Sequence, residues 1–302
     1  MTAPADARQF LDPRVASRLA RLDMVARLVV EGFITGLHKS PYHGFSVEFA
    51  EHRPYMPGDS IRHIDWRLYA KSDRFYVKQY EEETNLRAYL LLDSSASMNY
   101  RSSPDGLTKL EYSSYLAAAL SYLMLKQQDS VGLLTFSDRV KRFVPPRSTG
   151  GHLRVLLREI ERNKAAEGTQ VGKSLHHLAD RIRRRGLIIL FSDLLDDPKE
   201  TLTGLKHFRH RRHEVIVFHV LDPAEIEFPF REETRFIDME SSESLNTLPW
   251  EIAREYRTRF REWSERYKRE CRENGIDYVP INTATSYDLA LYRYLEKRHK
   301  LF

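Results

Sequence analysis

Asp93, Ser95 and Ser97 place a carboxylate and two hydroxyls at alternate positions where the apolar run 90–92 ends. A buried-type strand that stops in such a triplet can turn three oxygens towards one point. Two later segments supply more. Glu167, Gly168 and Thr169 open a helical stretch, and the apolar run 187–190 leads into Phe191, Ser192 and Asp193. In open α/β sheets, ligands bind outside the carboxyl ends of the strands where the winding reverses, which in the order 3-2-1-4-5-6 lies between strands one and four. Counting from Ala88, Asp93 follows strand one and Asp193 follows strand four. Asp93, Ser95, Ser97, Thr169 and Asp193 are therefore expected to share one crevice. They offer hard oxygen ligands without thiolate or imidazole, which suits Mg²⁺ or Mn²⁺ over zinc. Two carboxylates roughly neutralise a divalent ion and leave coordination positions for water or an outside carboxylate.

Each piece also has a plainer reading. Asp and Ser after a strand are common helix caps, so Asp-x-Ser-x-Ser alone is weak, and it is Thr169 and Asp193 that favour a metal. An aspartyl-phosphate enzyme would need a second carboxylate two residues after Asp93, but Ser95 stands there. Ser148, Thr149, Gly150 and Gly151 lack the Lys and Ser/Thr of a phosphate-binding loop and read as a helix start. His207, His210 and His213 are spaced around a helix end among arginines and are expected at the surface. Arginines 181–185 and 209–212 read as helix ends that complement the dipole, on the sheet edge opposite Asp93; a basic docking face is the alternative. Asp59, Arg62, Asp65 and Trp66 read as a network locking their segment onto the sheet. A partner-binding role would require Trp66 to be exposed.

These residues need a frame to hold them. The chain opens with a helix begun by Asp12 and Pro13, with Val15, Leu19, Leu22, Ala26 and Val29 at helical spacing. Short β-like runs at 45–49 and 74–78, broken by prolines, indicate a small β-rich subdomain. From residue 87 strands and helices alternate: strands at 88–92, 131–136, 140–144, 187–191, 214–221 and 277–281, and helices at 108–126, 153–162, 171–184, 199–210, 250–273 and 287–297. That pattern predicts an α/β fold with an open, mostly parallel Rossmann-like sheet. The turn around Ser137 and Asp138 is too short for a crossover, so 131–136 and 140–144 form a hairpin and give one antiparallel edge strand. The expected units are 1–86 (N-terminal helix and β-rich subdomain) and 87–302 (the α/β domain), with a β excursion at about 225–248. Ile252, Tyr256, Phe260, Trp263, Tyr267 and Cys271 form one helical stripe and are assigned to core.

Composition fits a packed globular chain: 302 residues, 41% hydrophobic and 11% aromatic, with 48 Lys+Arg against 43 Asp+Glu. The small positive balance of mixed sign makes nucleic acid an unlikely partner. The lone Cys271 excludes an internal disulfide and fits a reducing compartment. No apolar run reaches the roughly 20 residues of a membrane span, and residues 1–11 do not read as a signal peptide, so a cytoplasmic location is expected.

The five oxygen donors match, in order, the metal-ion-dependent adhesion site of the von Willebrand factor A-like (vWA-like) fold. The chain further resembles the DUF58 family through Gly36-x-His38-x-Ser40, Arg53-Pro54-Tyr55-x-Pro57-Gly58-Asp59, Arg62-x-Ile64-Asp65-Trp66, the segment 93–98, Asp238-Met239-Glu240 and Tyr294-Leu295-x-x-Arg298. It departs at Glu167, where relatives often have glycine, and in Ser192-Asp193-Leu194, where they have Thr-Asp-Gly. The resemblance implies a bacterial or archaeal protein that works with a MoxR-type AAA+ ATPase, here in a form without membrane helices. The expected function is a non-enzymatic, metal-dependent interaction module or chaperone-like adaptor that grips a protein partner through an acidic residue. The alternatives are a metal-dependent phosphate-ester hydrolase, which lacks an evident general base, and nucleic-acid binding through the arginine-rich edge.

Overall fold

The computed structural model describes residues 86–165, 170–240 and 243–301, together with 21–38, 12–13, 52–55, 66, 69, 73 and 75–78. Helix α1 (Leu22–His38) buries Leu22, Val25, Ala26, Val29, Val30 and Phe33, the helical stripe expected from the sequence. Val15 and Leu19, assigned to the same helix, lie outside the described residues, as do the run 45–49 and Asp59, Arg62 and Asp65. Strands β1 (His52–Pro54) and β2 (Tyr76–Lys78) pair antiparallel. Trp66 is 57% exposed, which the expected locking role did not foresee. Its ring meets Tyr69 edge-on, and Tyr69 stacks on Phe75.

The main sheet starts with β3 (Arg87–Asp93) and is followed by α2 (Lys109–Lys126), β4 (Ser130–Phe136), β5 (Val140–Arg147), α3 (His152–Arg162), α4 (Val171–Arg181), β6 (Leu187–Ser192), α5 (Pro198–His210) and β7 (Glu214–Leu221). Then come α6 (Pro223–Glu227), the hairpin β8 (Thr234–Ile237) and β9 (Ser244–Thr247), α7 (Pro249–Glu273), β10 (Asp277–Asn282) and α8 (Asp288–Leu301). The six strands run in the order β10-β7-β6-β3-β4-β5. Every neighbouring pair is parallel except β4 and β5. Counted from β3 this is the expected 3-2-1-4-5-6 order, with the antiparallel strand at one edge.

Alternation along β3 divides the core. Ala88, Leu90 and Leu92 face a cluster that includes α1, α2, α3 and α8, while Tyr89 and Leu91 face α4, α5 and α7. Burial on both faces explains the unbroken apolar runs of β3 and β6. Tyr267 and Cys271 of α7 are buried, while Tyr256, Phe260 and Trp263 are half-buried beneath other aromatic rings. Helices α4 and α5 touch backbone to backbone. A β-carbon on Gly172 would come within 2.6 Å of the Glu200 Cβ, and one on Gly204 within 2.8 Å of the Leu175 Cβ.

Two local expectations are corrected. Helix α4 ends at Arg181 instead of 184, because Ile182 turns extended and is buried; Arg183, Arg184 and Arg185 are exposed in the loop before β6. They still lie at the end of the sheet opposite Asp93, but they do not complete a helix. His213 is buried rather than at the surface: its Nε2 lies 3.2 Å from the Ile182 carbonyl, and its ring packs edge-on against Phe208. His207 is half-buried against His176, and His210 is exposed.

Candidate metal centre

The end of β3 delivers Asp93 into the interior with no exposed surface. One of its oxygens accepts the Ser95 N–H at 2.9 Å and the other the Ser192 hydroxyl at 2.5 Å. A 3₁₀ turn over Ala96–Asn99 follows, so that the hydroxyls of Ser95 and Ser97 sit 3.1 Å apart. Beyond β6, Asp193 is equally buried, with the Ser97 hydroxyl near enough to favour its charged form, and it accepts the Leu195 N–H at 3.2 Å. Asp93, Ser95, Ser97 and Asp193 are thus brought together at the carboxyl ends of adjacent parallel strands. Thr169 lies outside the described residues. The helix that it would introduce, α4, begins at Val171, and its Gly172 N–H donates to Asp196 in the loop after Asp193.

The backbone after Asp193 explains one departure from the family pattern. Leu194 has φ +54°, the left-handed region that glycine enters freely and a leucine enters at a cost of roughly 1–2 kcal/mol. Its surroundings hold it there. The Leu194 N–H donates to the Ser192 hydroxyl at 3.0 Å, the Tyr267 hydroxyl donates to its carbonyl at 3.3 Å, and its side chain is buried. From β7, His219 Nε2 donates to the Asp193 carbonyl at 2.9 Å while its other nitrogen faces the Tyr278 hydroxyl. Burial pushes this imidazole down to about 4, so it is neutral and positions backbone rather than charge.

Three charged side chains join the site that the donor pattern did not contain. Lys109, the first residue of α2, is fully buried with its ammonium 2.7 Å from Asp193 and 2.5 Å from Glu225. Burial works against that charge, but the two carboxylates hold it above its ordinary value. Asp193 is the mirror case: burial opposes its charge, and the ammonium keeps it below the usual carboxylate range. Asp93 has no such ion pair among the described residues, and burial, aided by the Asp193 charge, drives it well above that range. The third newcomer is Glu240 of the β8–β9 hairpin, whose Oε1 accepts the Ser97 N–H at 3.2 Å and whose Oε2 is buried without a hydrogen-bond partner among the described residues. Lys141 reaches the Ser94 hydroxyl at 2.9 Å and carbonyl at 3.2 Å, flanking the crevice without pairing a carboxylate among the described residues.

A sign of Lys109 was present in the sequence: a cation in the first turn of a helix opposes the helix dipole, and the Thr108–Glu111 capping box fixes that first turn. Glu240 was noticed only as part of a motif. Glu225 gave no local sign, because its partner is 116 residues away.

The residues present fit a hard divalent cation. Among the described residues no three His, Cys, Asp or Glu side chains form a metal cage, so the donors would be mixed carboxylates and hydroxyls. Asp93, Asp193, Glu225 and Glu240 are four carboxyl groups gathered around Lys109, whose ammonium pairs with Asp193 and Glu225. A divalent ion would offset the surplus, whereas unneutralised buried charge is strongly disfavoured. The crevice opens into a cleft of about 750 Å³ lined by Ser97, Tyr100, Glu225, Phe236, Glu240 and Tyr256.

The chain is 29% identical over 221 residues to uncharacterized proteins of Mycobacterium tuberculosis and Mycobacterium bovis, spanning 72% of this chain and 68% of those. Among solved structures it is similar to the conserved hypothetical protein BatB from Bacteroides thetaiotaomicron, with a TM-score of 0.50 at 18% identity over 71% of this chain and 99% of that one. A weaker likeness, with a TM-score of 0.38 at 10% identity over 70% of this chain and 95% of the other, is to the SpRpn10 VWA domain. No helix among the described residues is long and apolar enough to cross a membrane. The model of the family described as protein of unknown function DUF58 matches residues 51–270, most of the chain, and the protein belongs to that family.

Proposed function

We propose that this protein is a non-enzymatic interaction module that holds one Mg²⁺ or Mn²⁺ ion with Asp93, Ser95, Ser97, Thr169 and Asp193 and uses it to grip an acidic side chain of a protein partner. The observation that carries this reading is the charge imbalance of the crevice: Asp93 and Asp193 are both buried, and among the described residues Lys109 is the cation paired there, with Asp193 and Glu225. The ion supplies an open coordination position for an incoming carboxylate. The chain's own residues do the rest. The hydroxyls of Ser95 and Ser97 present neutral oxygens, Ser192 and the Ser95 N–H orient Asp93, and His219 fixes the backbone of Asp193. No described histidine stands free in the crevice as a general base, since the one beside it, His219, is neutral and bonded at both nitrogens. That favours binding over hydrolysis. The partner in this reading is a MoxR-type AAA+ ATPase or its client, with the protein acting as adaptor, and the working compartment is the cytoplasm.

The test joins stability to capture. A ligand that binds the folded state stabilises it by RT ln(1 + [L]/Kd), so millimolar Mg²⁺ or Mn²⁺ should raise the melting temperature of the wild type and leave Asp93→Ala unmoved. In pull-downs, retention of the ATPase should fall with EDTA and with Ser97→Ala or Thr169→Ala. Identical, cation-independent melting of wild type and Asp93→Ala would remove the site.

A further inference from the structure

We infer that Lys109 is a resident counter-cation that competes with a divalent ion for Asp193, so that the chain's own ammonium holds the empty crevice charge-paired and loading requires that ammonium to let go. The inference rests on the metal reading above and adds to it the residue that sets the affinity and reversibility of the site. An ordinary lysine keeps its ammonium in water. Lys109 is fully buried, and as the first residue of α2 it also stands where the positive end of the helix dipole opposes a cation. Two carboxylates hold the charge there: Asp193 Oδ2 lies 2.7 Å from the ammonium and Glu225 Oε1 2.5 Å from it. The other oxygen of Asp193 accepts the Leu195 N–H. An ion at Asp193 and the ammonium therefore draw on the same carboxylate, and two cations on one buried carboxylate repel each other strongly.

Both ends of the ammonium bridge are fixed by helix starts. Around Lys109, the Thr108 hydroxyl accepts the Glu111 N–H at 3.1 Å and the Glu111 carboxylate accepts the Thr108 N–H at 2.8 Å. Glu225 sits in the first turn of α6, where its Oε2 accepts the Asp222 N–H at 2.8 Å and the Asp222 carboxylate accepts the Ala224 N–H at 2.8 Å. Glu225 thus stays within reach of the ammonium however Asp193 is engaged. The lysine stem is anchored between one carboxylate that belongs to the ion site and one that does not. With the crevice empty the ammonium bridges both; with a cation at Asp193 it falls back on Glu225. Such a site binds cations weakly and gives them up readily, and when empty it keeps Asp193 paired.

The test titrates the full chain with Mn²⁺ in a calorimeter. Lys109→Met removes the ammonium at nearly constant length. The double variant Lys109→Met with Glu225→Gln removes one charge of each sign, so the net charge beside Asp193 stays that of the wild type and no carboxylate at 225 is left without its cation. If the ammonium competes for Asp193, the double variant should bind Mn²⁺ roughly tenfold or more tightly than wild type, because a charged hydrogen bond no longer has to be broken. Its melting in metal-free buffer should lie closer to wild type than that of Lys109→Met, which keeps the test usable if the single variant does not fold. Glu225→Gln alone leaves the ammonium to Asp193 and should weaken Mn²⁺ binding. Equal affinity in wild type and double variant, with binding lost in Asp93→Ala, would overturn the inference and leave the metal site standing. Binding in the double variant but not in wild type would uphold Lys109 as the occupant of the site and overturn the metal-dependent function. No Mn²⁺ binding in either would overturn both.

Discussion

At the carboxyl ends of β3 and β6, among the described residues, Asp193 and Glu225 share one buried ammonium beside the unpaired carboxyl of Asp93; at the amino ends of β7 and β10, Glu214 and Asp277 share two cations. There Glu214 is held by Arg209 at 2.8 Å and Lys297 at 2.9 Å, and Lys297 also reaches Asp277 at 3.1 Å. The lower network is balanced, and water reaches it. Burial opposes the charge of Glu214, but its two partners keep it below the ordinary carboxylate range. The upper group is drier and short of positive charge, and Asp93 shows the strain by moving the other way. Balanced charge at a partly wet edge is what a fold needs in order to hold β7 against α5 and α8. A buried surplus of one sign costs stability and persists where something outside the chain is meant to neutralise it.

Lys109→Met should produce the largest effect, because it leaves Asp193 and Glu225 buried without a cation. We expect a loss of about 3–5 kcal/mol in metal-free denaturant unfolding, part of it recovered in saturating Mg²⁺. A loss under about 1 kcal/mol would mean that the upper group is far wetter than its burial indicates. Next comes Asp93→Ala. It removes surplus charge, so it should cost little without metal and should erase the Mg²⁺ stabilisation, which in the wild type reaches about 2.7 kcal/mol at a hundredfold excess over Kd. Retained stabilisation would separate the ion from the crevice.

Glu214→Gln probes the lower network and should cost about 1 kcal/mol or less at neutral pH, since partly exposed pairs are screened. Its folded-state pKa is depressed, so this contribution is present above the unfolded value and lost as pH falls through the folded one. The wild-type and variant urea midpoints should therefore converge in acid, and Mg²⁺ should shift both equally. A gap that persists in acid would assign the effect to packing. The smallest change is expected from the exposed Arg183→Ala, within about 0.5 kcal/mol and without influence on cation-dependent capture. If that substitution abolished capture while EDTA did not, the arginine-rich edge would be the working surface.

The sheet was legible because its signals are local: apolar runs mark doubly buried strands, a turn at Ser137 and Asp138 is too short for a crossover, and strand counting then brings Asp93 beside Asp193. The convergence of Ser95 and Ser97 followed from alternate spacing. What spacing could not show is whatever meets the site from a distance. Lys109 and Asp193 are 84 residues apart, Ser97 and Glu240 are 143 apart, and only the packing of α2 and of the β8–β9 hairpin joins them. His213 was misplaced for a related reason: its position after a basic helix end looked exposed, but the loop folds back so that its ring lies under Ile182. Leu194 made the departure from Asp-Gly visible in the sequence, but the left-handed backbone that it must adopt there became visible only with the hydrogen bonds that hold it.

The glycine contacts between α4 and α5 decide where this molecule can yield. Gly172 and Gly204 let the two helices interlock so closely that neither can slide or roll without a backbone collision. Gly172 also ties its N–H to Asp196, so the loop leaving Asp193 and the start of α4 belong to one stiff block. That wall of the crevice behaves as a fixed jaw. The compliant jaw is the β8–β9 hairpin, a two-stranded element clamped at its aromatic root, with the Ser97 N–H donating to Glu240 at its tip. Exchange of ligands at the crevice should therefore be timed by the hinge of that hairpin, on the microsecond-to-millisecond scale of loop gating, while the sheet and its helices stay still.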